Sequence, residues 1–212
     1  MAGGGPTTIT GQTDLVAKII TWVQQAWIDI QLMRPNWNFM MEDFTFPTVA
    51  DQRDYTADDN SITDLALWDT ESFLIFLTST GASEEHFLVY RKYREWREQY
   101  RAGMAARDAG YPQIITIMPS TALRLEPKPN AIYTLSGEYK RTAQTLTAES
   151  DLPTGLPDNF HPIIVWRALQ YYASFEDAPE VADMAETKFD DLLLRLENEE
   201  LPTMSEAYDT LA

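Results

Sequence analysis

Adjacent carboxylates are the residues in this sequence whose type best suits acid–base catalysis. Three such pairs are Asp58–Asp59, Asp190–Asp191 and Glu199–Glu200. Glycoside hydrolases place two carboxyl groups on either side of the bond that they cleave. Neighbouring residues of a helix do not share a face, so the last two pairs, which fall in a helical pattern, are poor catalytic dyads. We interpret all three pairs as solvated surface, and a glycan hydrolase stays open as an alternative.

Metal and nucleotide chemistry has little support in the residue types. The chain has no cysteine, and neither of its two histidines, His86 and His161, has the other at ligand spacing. The glycine-rich phosphate-binding loops, the HExxH zinc motif, the EF-hand loop and the GxSxG nucleophile turn do not occur in the sequence. We therefore predict no catalytic residue, no cofactor-binding residue and no metal ligand, and expect a protein that is not an enzyme.

The segment 91–107 combines cations with aromatic residues and is the most distinctive stretch of the chain. It holds six of the sixteen lysines and arginines. Such a surface suits an acidic partner or a neighbouring copy of the same chain. The alternative is an ordinary helix with a solvated face, which the i to i+4 pairs Arg91–Glu95 and Arg94–Glu98 favour. The candidate subunit-interface residues are Arg91, Arg94, Trp96, Arg97, Tyr100 and Arg101.

The net charge of the chain is −17, from 33 acidic and 16 basic residues. A protein that grips DNA neutralises phosphates with lysine and arginine, so this balance argues against general nucleic-acid binding. The acids are concentrated in residues 174–212, which hold twelve acidic and two basic residues. One basic and one acidic segment on the same chain suit head-to-tail contacts between copies, which close into a ring when the rotation permits.

The elements that carry these residues follow from the hydrophobic periodicity. An amphipathic helix rich in tryptophan ends at Met33, before Pro35. A β-rich middle follows, in which a turn at 127–130 is predicted to join two strands as a hairpin. Two further helices are predicted at 163–175 and 179–201. Each amphipathic helix needs a partner for its apolar face, so the helices of the two ends are expected to pack together.

We predict an α+β fold, a helical bundle from the N- and C-terminal helices with a β-rich middle insertion that contains one helix. No apolar run approaches the ~20 residues of a membrane span, and no signal-peptide pattern opens the chain, so we expect a cytoplasmic site of folding and no membrane partner. The predicted segments are a flexible N-terminal arm at 1–12, the bundle at 13–40 and 156–201, the β-rich domain at 41–155 with its helix at about 91–107, and a C-terminal tail at 202–212.

Several short motifs follow one another along the chain in a recognisable order. They are the helix end Met33-Arg34-Pro35, the A-x-Q-x-x-Y turn of residues 50–55, Tyr111-Pro112 before a strand, the segment 125–129, the strand 133–141, the segment 156–161, and a helix with Ala168, Leu169, Tyr171 and Tyr172. Together with the closing acidic helix, this order resembles the head-to-tail connector (adaptor) proteins of tailed phages, the tail tubular protein A-like group. The resemblance covers about residues 13–200.

The resemblance implies a structural virion protein at the junction of head and tail, assembled in the host cytoplasm. Such adaptors form a homo-oligomeric ring, usually a dodecamer, under the portal protein. The ring extends the DNA channel, through which double-stranded DNA passes without specific binding during ejection, and it provides the attachment platform for the tail or nozzle protein. In related adaptors the bundle and the C-terminal segment engage the portal, and the β-rich part faces the tail.

The acidic C-terminal segment is therefore the candidate portal-docking region. A tail-associated glycan hydrolase stays open as one alternative, and a tail-terminator or neck protein of the same particle as a second. The candidate docking residues are Glu197, Glu199, Glu200, Leu201, Met204, Tyr208 and Leu211.

Overall fold

The computed structural model describes residues 11–201. Most of the arm predicted at 1–12 and all of the tail predicted at 202–212 lie outside the described residues. The elements of the described part, in chain order, are α1 (Asp14–Met33), β1 (Met41–Pro47), β2 (Asp54–Tyr55), β3 (Leu65–Trp68), β4 (Leu74–Leu77), β5 (His86–Phe87), β6 (Val89–Tyr90), α2 (Tyr93–Tyr100), β7 (Ile114–Ile117), β8 (Leu123–Glu126), β9 (Tyr133–Arg141), α3 (Pro162–Glu176) and α4 (Pro179–Glu200).

The fold is α+β as predicted, with helices at both ends and a β-rich middle. The chain divides into two compact units. Residues 41–142 form the β-rich unit, and the residues before and after them form the helical unit. Residues 143–155, assigned to the β-rich segment from the sequence, group with the helical unit. The reason is local, because the buried Gln31 side chain of α1 accepts from the backbone N–H of Gln144 (2.8 Å) and donates to its carbonyl (2.9 Å).

The helical unit packs α1, α3 and α4 around an aromatic core. Trp27 and Trp37 are fully buried, and the indole N–H of Trp37 donates to the carbonyl of Ile30 at 2.9 Å. The helix α1 ends at Met33 because the residue before Pro35 takes an extended backbone conformation, with φ −131° and ψ 138°. None of the helices among residues 11–201 is long and apolar enough to span a membrane.

A charged side chain, Asp29, joins α1 to α3. Its carboxylate accepts hydrogen bonds from Arg167 Nη2 (2.9 Å) and from the hydroxyl of Tyr171. Burial alone would raise the pKa of this carboxylate, but the hydrogen bonds from Tyr171, Gln25 and Arg167 outweigh burial and lower the pKa. The Arg167 guanidinium also lies 5.7 Å from the ring centroid of Phe189, which extends the contact to α4.

The β-rich unit contains two sheets. In the larger sheet β9 is central, since it pairs antiparallel with β1 along one side and with both β3 and β4 along the other, while β5 pairs with β4. The smaller sheet has the order β2-β8-β7-β6, in which β6 and β7 are parallel. One core serves both sheets, because Ile115, Leu123 and Leu125 of the smaller sheet and Ile75 and Leu135 of the larger sheet are all fully buried in it.

Two local predictions within this unit are wrong. The turn at 127–130 does not close a hairpin, because β8 pairs with β7 in one sheet while β9 lies in the other. The helix predicted over 91–107 ends at Tyr100. Gly103 then takes a left-handed conformation, with φ 69°, and residues 104–106 form a separate 3-10 turn.

Candidate interaction surfaces

The helix α2 is held on the smaller sheet by one aromatic residue. Trp96 is 1% exposed, and its ring stacks on Tyr93 with 6.1 Å between centroids. The guanidinium of Arg124, from β8, lies 4.9 Å from the centroid of the Trp96 ring. Trp96 was predicted to contact a neighbouring subunit, and the structure corrects that prediction, because its side chain is buried inside its own unit.

Arg124 is itself fixed by a carboxylate of β2. Its Nε and Nη2 atoms donate to the two carboxylate oxygens of Asp54 at 2.5 Å each, a bidentate geometry. These hydrogen bonds raise the pKa of the Arg124 guanidinium. The cation under Trp96 therefore belongs to the internal framework of the β-rich unit.

A buried carboxylate organises the segment after α2. Glu126 is 3% exposed and pairs with Arg53 through one oxygen and with Arg107 Nη1 (3.3 Å) through the other. Arg53 also donates to the carbonyl of Met104 at 3.0 Å. A buried charge needs a partner and hydrogen bonds, and the two guanidinium groups supply both. Arg107, one of the six cations of the basic segment, is thus structural.

The remaining cations of the segment face solvent. The side chains of Arg91, Arg94, Arg97 and Arg101 are exposed. Arg94 pairs with Glu98 at 3.4 Å as the i to i+4 spacing predicts, whereas Arg91 precedes the helix, so its spacing to Glu95 is not a helical one. Tyr100 is half-buried, with the Arg107 guanidinium 5.3 Å from its ring centroid.

An open cleft lies beside the exposed arginines of α2. Its volume is about 460 Å³. Arg101 lines it together with Tyr93 and Met104, while Met118 and Arg124 line the wall formed by the sheet. The basic segment therefore presents a charged helix face with an open cleft beside it.

The helix α4 has a buried apolar side and an exposed acidic side. Ala185, Phe189 and Leu196 are buried against the rest of the helical unit. The opposite side is exposed and acidic, and within it Asp191 pairs with Arg195 at 2.9 Å. The other exposed carboxylates of this helix form no ion pair with a described residue, and they are Glu180, Asp183, Glu186, Asp190 and Glu199.

The candidate docking residues at the end of α4 divide into internal and exposed ones. Glu197 pairs with Arg34 at 2.6 Å. Burial raises the pKa of Glu200, although a hydrogen bond from the backbone of Phe39 opposes the shift. Glu199 is exposed, and Leu201 packs partly buried against the helical core. The remaining candidates, Met204, Tyr208 and Leu211, lie outside the described residues.

An apolar cleft between α1 and α3 was not predicted from the sequence. Leu15 and Ile19 follow the helical spacing of the apolar residues of α1, but each is 41% exposed and lines this cleft of about 400 Å³ with Trp22, Val165 and Leu169. The periodicity identifies the apolar face of α1, but it cannot tell which end of that face a partner helix covers.

The residue types considered for catalysis are dispersed. Within residues 11–201, no group of three or more histidine, aspartate or glutamate side chains could hold a metal ion. His86 Nδ1 lies 2.8 Å from the hydroxyl of Tyr111, and His161 Nε2 lies 3.1 Å from the carbonyl of Leu156. Asp59 accepts a hydrogen bond from the hydroxyl of Thr56 at 2.6 Å.

Comparison with known proteins identifies a family for this chain. The family model described as SU10 adaptor protein matches residues 6–208 of the chain. A search of curated proteins finds no match. The family match includes both units, the basic segment around α2 and the acidic helix α4.

Proposed function

This chain belongs to the SU10 adaptor protein family, a family of phage head-to-tail adaptors, and on that premise we propose that it forms a ring between the portal and the tail. A phage adaptor is a structural protein of the particle. The finer proposal is that copies of this chain assemble under the portal, usually twelve of them as the resemblance implies, and offer the tail its attachment platform. The observation that carries the proposal is a family match over nearly the whole chain.

The second part of the proposal is that DNA passes through the ring. Its lumen is proposed to extend the portal channel, so that DNA leaves the head without binding to the wall. The charge of −17 per copy supports this role, because a negative surface repels the phosphate backbone. A structural rather than an enzymatic role follows from the same family assignment.

The C-terminal segment is the part that we propose for portal docking. Glu197 and Glu200 are engaged inside the helical unit, which supports a docking contact that begins beyond them. In the sequence that follows, Met204, Tyr208 and Leu211 recur at i, i+4 and i+7, the spacing of apolar anchors on a helix that enters a groove. The portal contact is therefore proposed to lie in residues 203–212, and the tail contact in the β-rich unit.

The test is a truncation that spares the helical unit. A chain that ends at Leu201 keeps the contact of that residue with the helical core and removes the proposed docking segment. We expect this chain to keep its circular dichroism spectrum and its melting temperature, but to stop co-sedimenting with the portal protein. Portal binding at the level of the full chain would contradict the docking proposal.

Substitutions of individual residues test the same docking proposal without removing the segment. Serine at the three apolar positions Met204, Tyr208 and Leu211 should reduce portal binding by at least about tenfold, since apolar anchors dominate such contacts. Alanine at Ser205 and Thr210 is the matched control, and it should leave portal binding unchanged.

A further inference from the structure

The exposed arginines of α2 lie on one face of the helix. Arg94, Arg97 and Arg101 are spaced by three and four residues, which places them on the same side of a helix with 3.6 residues per turn. Trp96 lies on the other side and is buried. Residues 91–101 hold five cations and two carboxylates, in a chain whose net charge is −17. This face therefore carries a positive charge, whereas the net charge of the whole molecule is negative.

The exposed carboxylates of α4 form a second face. Asp183, Glu186 and Asp190 follow the same three- and four-residue spacing, and all three side chains are exposed. The three carboxylates span positions 183–190 of this 22-residue helix, the same number of positions that the three arginines span from 94 to 101. The two faces therefore match in length and in the spacing of their charges.

The charges of both faces are largely unused within one chain. Among the ion pairs of residues 11–201, Arg94 has only the exposed partner Glu98, and Arg97 and Arg101 have none. Asp183, Glu186 and Asp190 have no cationic partner in that part of the chain either. By contrast, Arg53, Arg107 and Arg124 are all satisfied internally.

From these observations we propose that the arginine face of α2 binds the acidic face of α4 on the neighbouring copy of this chain. The inference rests on the proposed ring and names the surfaces that would hold it together. The two faces differ, so the contact is heterologous, and a heterologous contact repeated around an axis is what closes a ring. Copies at −17 each repel one another, and a matched pair of opposite patches gives them an attractive orientation in which to meet.

The test uses two charge-reversed chains. The first carries R94E, R97E and R101E, so that both of its faces are acidic. The second carries D183K, E186K and D190K, so that both of its faces are basic. Each chain alone should weaken the contact between copies by at least about a hundredfold, because like charges then oppose each other. Ring formation in the presence of portal protein is measured by native mass spectrometry, and folding by melting temperature.

Mixing the two chains decides between the partners. An equimolar mixture should restore rings that contain the two chains in equal number, since each acidic face then meets a basic one. If each chain is folded and the mixture does not assemble, the proposal is overturned. The arginine face would then be expected to bind the portal or DNA instead. Rescue by all six reversals in one chain without rescue by mixing would also overturn it, since the contact would then lie within a copy.

A matched control separates position from net charge. E71K, E84K and E85K, at exposed positions of the β-rich unit, change the net charge by the same amount as the α4 reversals. Rings should persist in this control, and their loss would show that total charge rather than the α4 face is decisive.

The wild-type chain provides a measurement that needs no variant. Raising the salt from 0.1 M to 1 M shortens the screening length from about 10 Å to about 3 Å. We expect the contact between copies to weaken at least about tenfold over this range, and a salt-independent ring would overturn the charge contact. If the wild-type chain forms no ring with or without portal protein, the proposed function fails together with this inference. If rings form but ignore the reversals, only the inference fails.

Discussion

The two charged helices α2 and α4 are supported in opposite ways. The eight-residue α2 is too short to be stable alone. Its Trp96 packs against Arg124 of the neighbouring sheet, and the buried Glu126 of that sheet pairs with Arg107 in the segment that follows the helix. The longer α4 is held by apolar residues, chiefly Phe189 and Leu196. The comparison teaches that charge in this molecule has two separate uses. Buried ion pairs position the basic segment, while exposed charges on both helices are free for contacts with other molecules.

The largest expected effect concerns the buried carboxylate that positions α2. Replacing Glu126 by alanine leaves the guanidinium groups of Arg53 and Arg107 without their shared partner. We expect the free energy of unfolding to fall by about 3–5 kcal/mol, the cost of breaking a buried ion pair from one side. Urea denaturation measures this change. The exposed Glu138, replaced by alanine, is the control and should change the free energy of unfolding by less than about 0.5 kcal/mol. A loss below about 1 kcal/mol at Glu126 would remove the distinction between the two uses of charge.

The next effect is the carboxylate that joins α1 to α3. Asp29→Asn should lower the free energy of unfolding at pH 7 by about 1–2 kcal/mol, because the hydrogen bonds from the three side chains of Gln25, Arg167 and Tyr171 then end on a neutral amide. The pKa of Asp29 is lowered on folding, so its stabilisation is fully present above the unfolded value near 3.8 and is lost as the pH falls through the folded pKa. The difference between wild type and variant should therefore vanish in strong acid. A difference that stays constant from pH 7 to pH 2 would contradict this account.

A smaller effect of opposite sign is expected at the end of α4. Burial raises the pKa of Glu200, so the folded state favours its protonated form, and the penalty of its charge appears as the pH rises through the folded pKa. Glu200→Gln should stabilise the chain at pH 7 by less than about 0.5 kcal/mol, since the group is partly solvated. Thermal unfolding at pH 4 and pH 7 measures the change, which should be larger at pH 7. Destabilisation at pH 7 would indicate that the contact with Phe39 dominates instead.

The smallest expected effect on stability belongs to the exposed arginines. Replacing Arg94, Arg97 and Arg101 by glutamine should change the free energy of unfolding by less than about 0.5 kcal/mol in total, because these side chains contribute no buried contact. The same substitutions should weaken assembly with neighbouring copies. A stability loss above about 1 kcal/mol would show that these side chains also support α2, and the comparison with Glu126 would then fail.

The helices at both ends and the β-rich character of the middle were predictable because their signals are local. The apolar period of α1, α3 and α4 and the proline after Met33 fix where helices form and where α1 ends. Strand partners are not local, and the turn at 127–130 carries ordinary hairpin residues although it connects two sheets. Proximity in sequence was therefore a poor guide to pairing in the β-rich unit.

The candidate surfaces were predictable only in part, for a similar reason. The cations of the basic segment are visible in the sequence, but Arg107 and Arg94 look alike there. Only the fold brings Glu126 to Arg107 and leaves Arg94 exposed. The burial of Trp96 likewise depends on Arg124, which lies two strands further along the chain.

The most direct test of the account is the mass of the complex that the full-length chain forms with the portal protein of the same phage. Native mass spectrometry should show a portal-dependent complex that contains many copies of the chain, about twelve if the resemblance to other adaptors extends to copy number. A chain that stays monomeric and does not bind the portal would contradict the central claim that it is the adaptor ring.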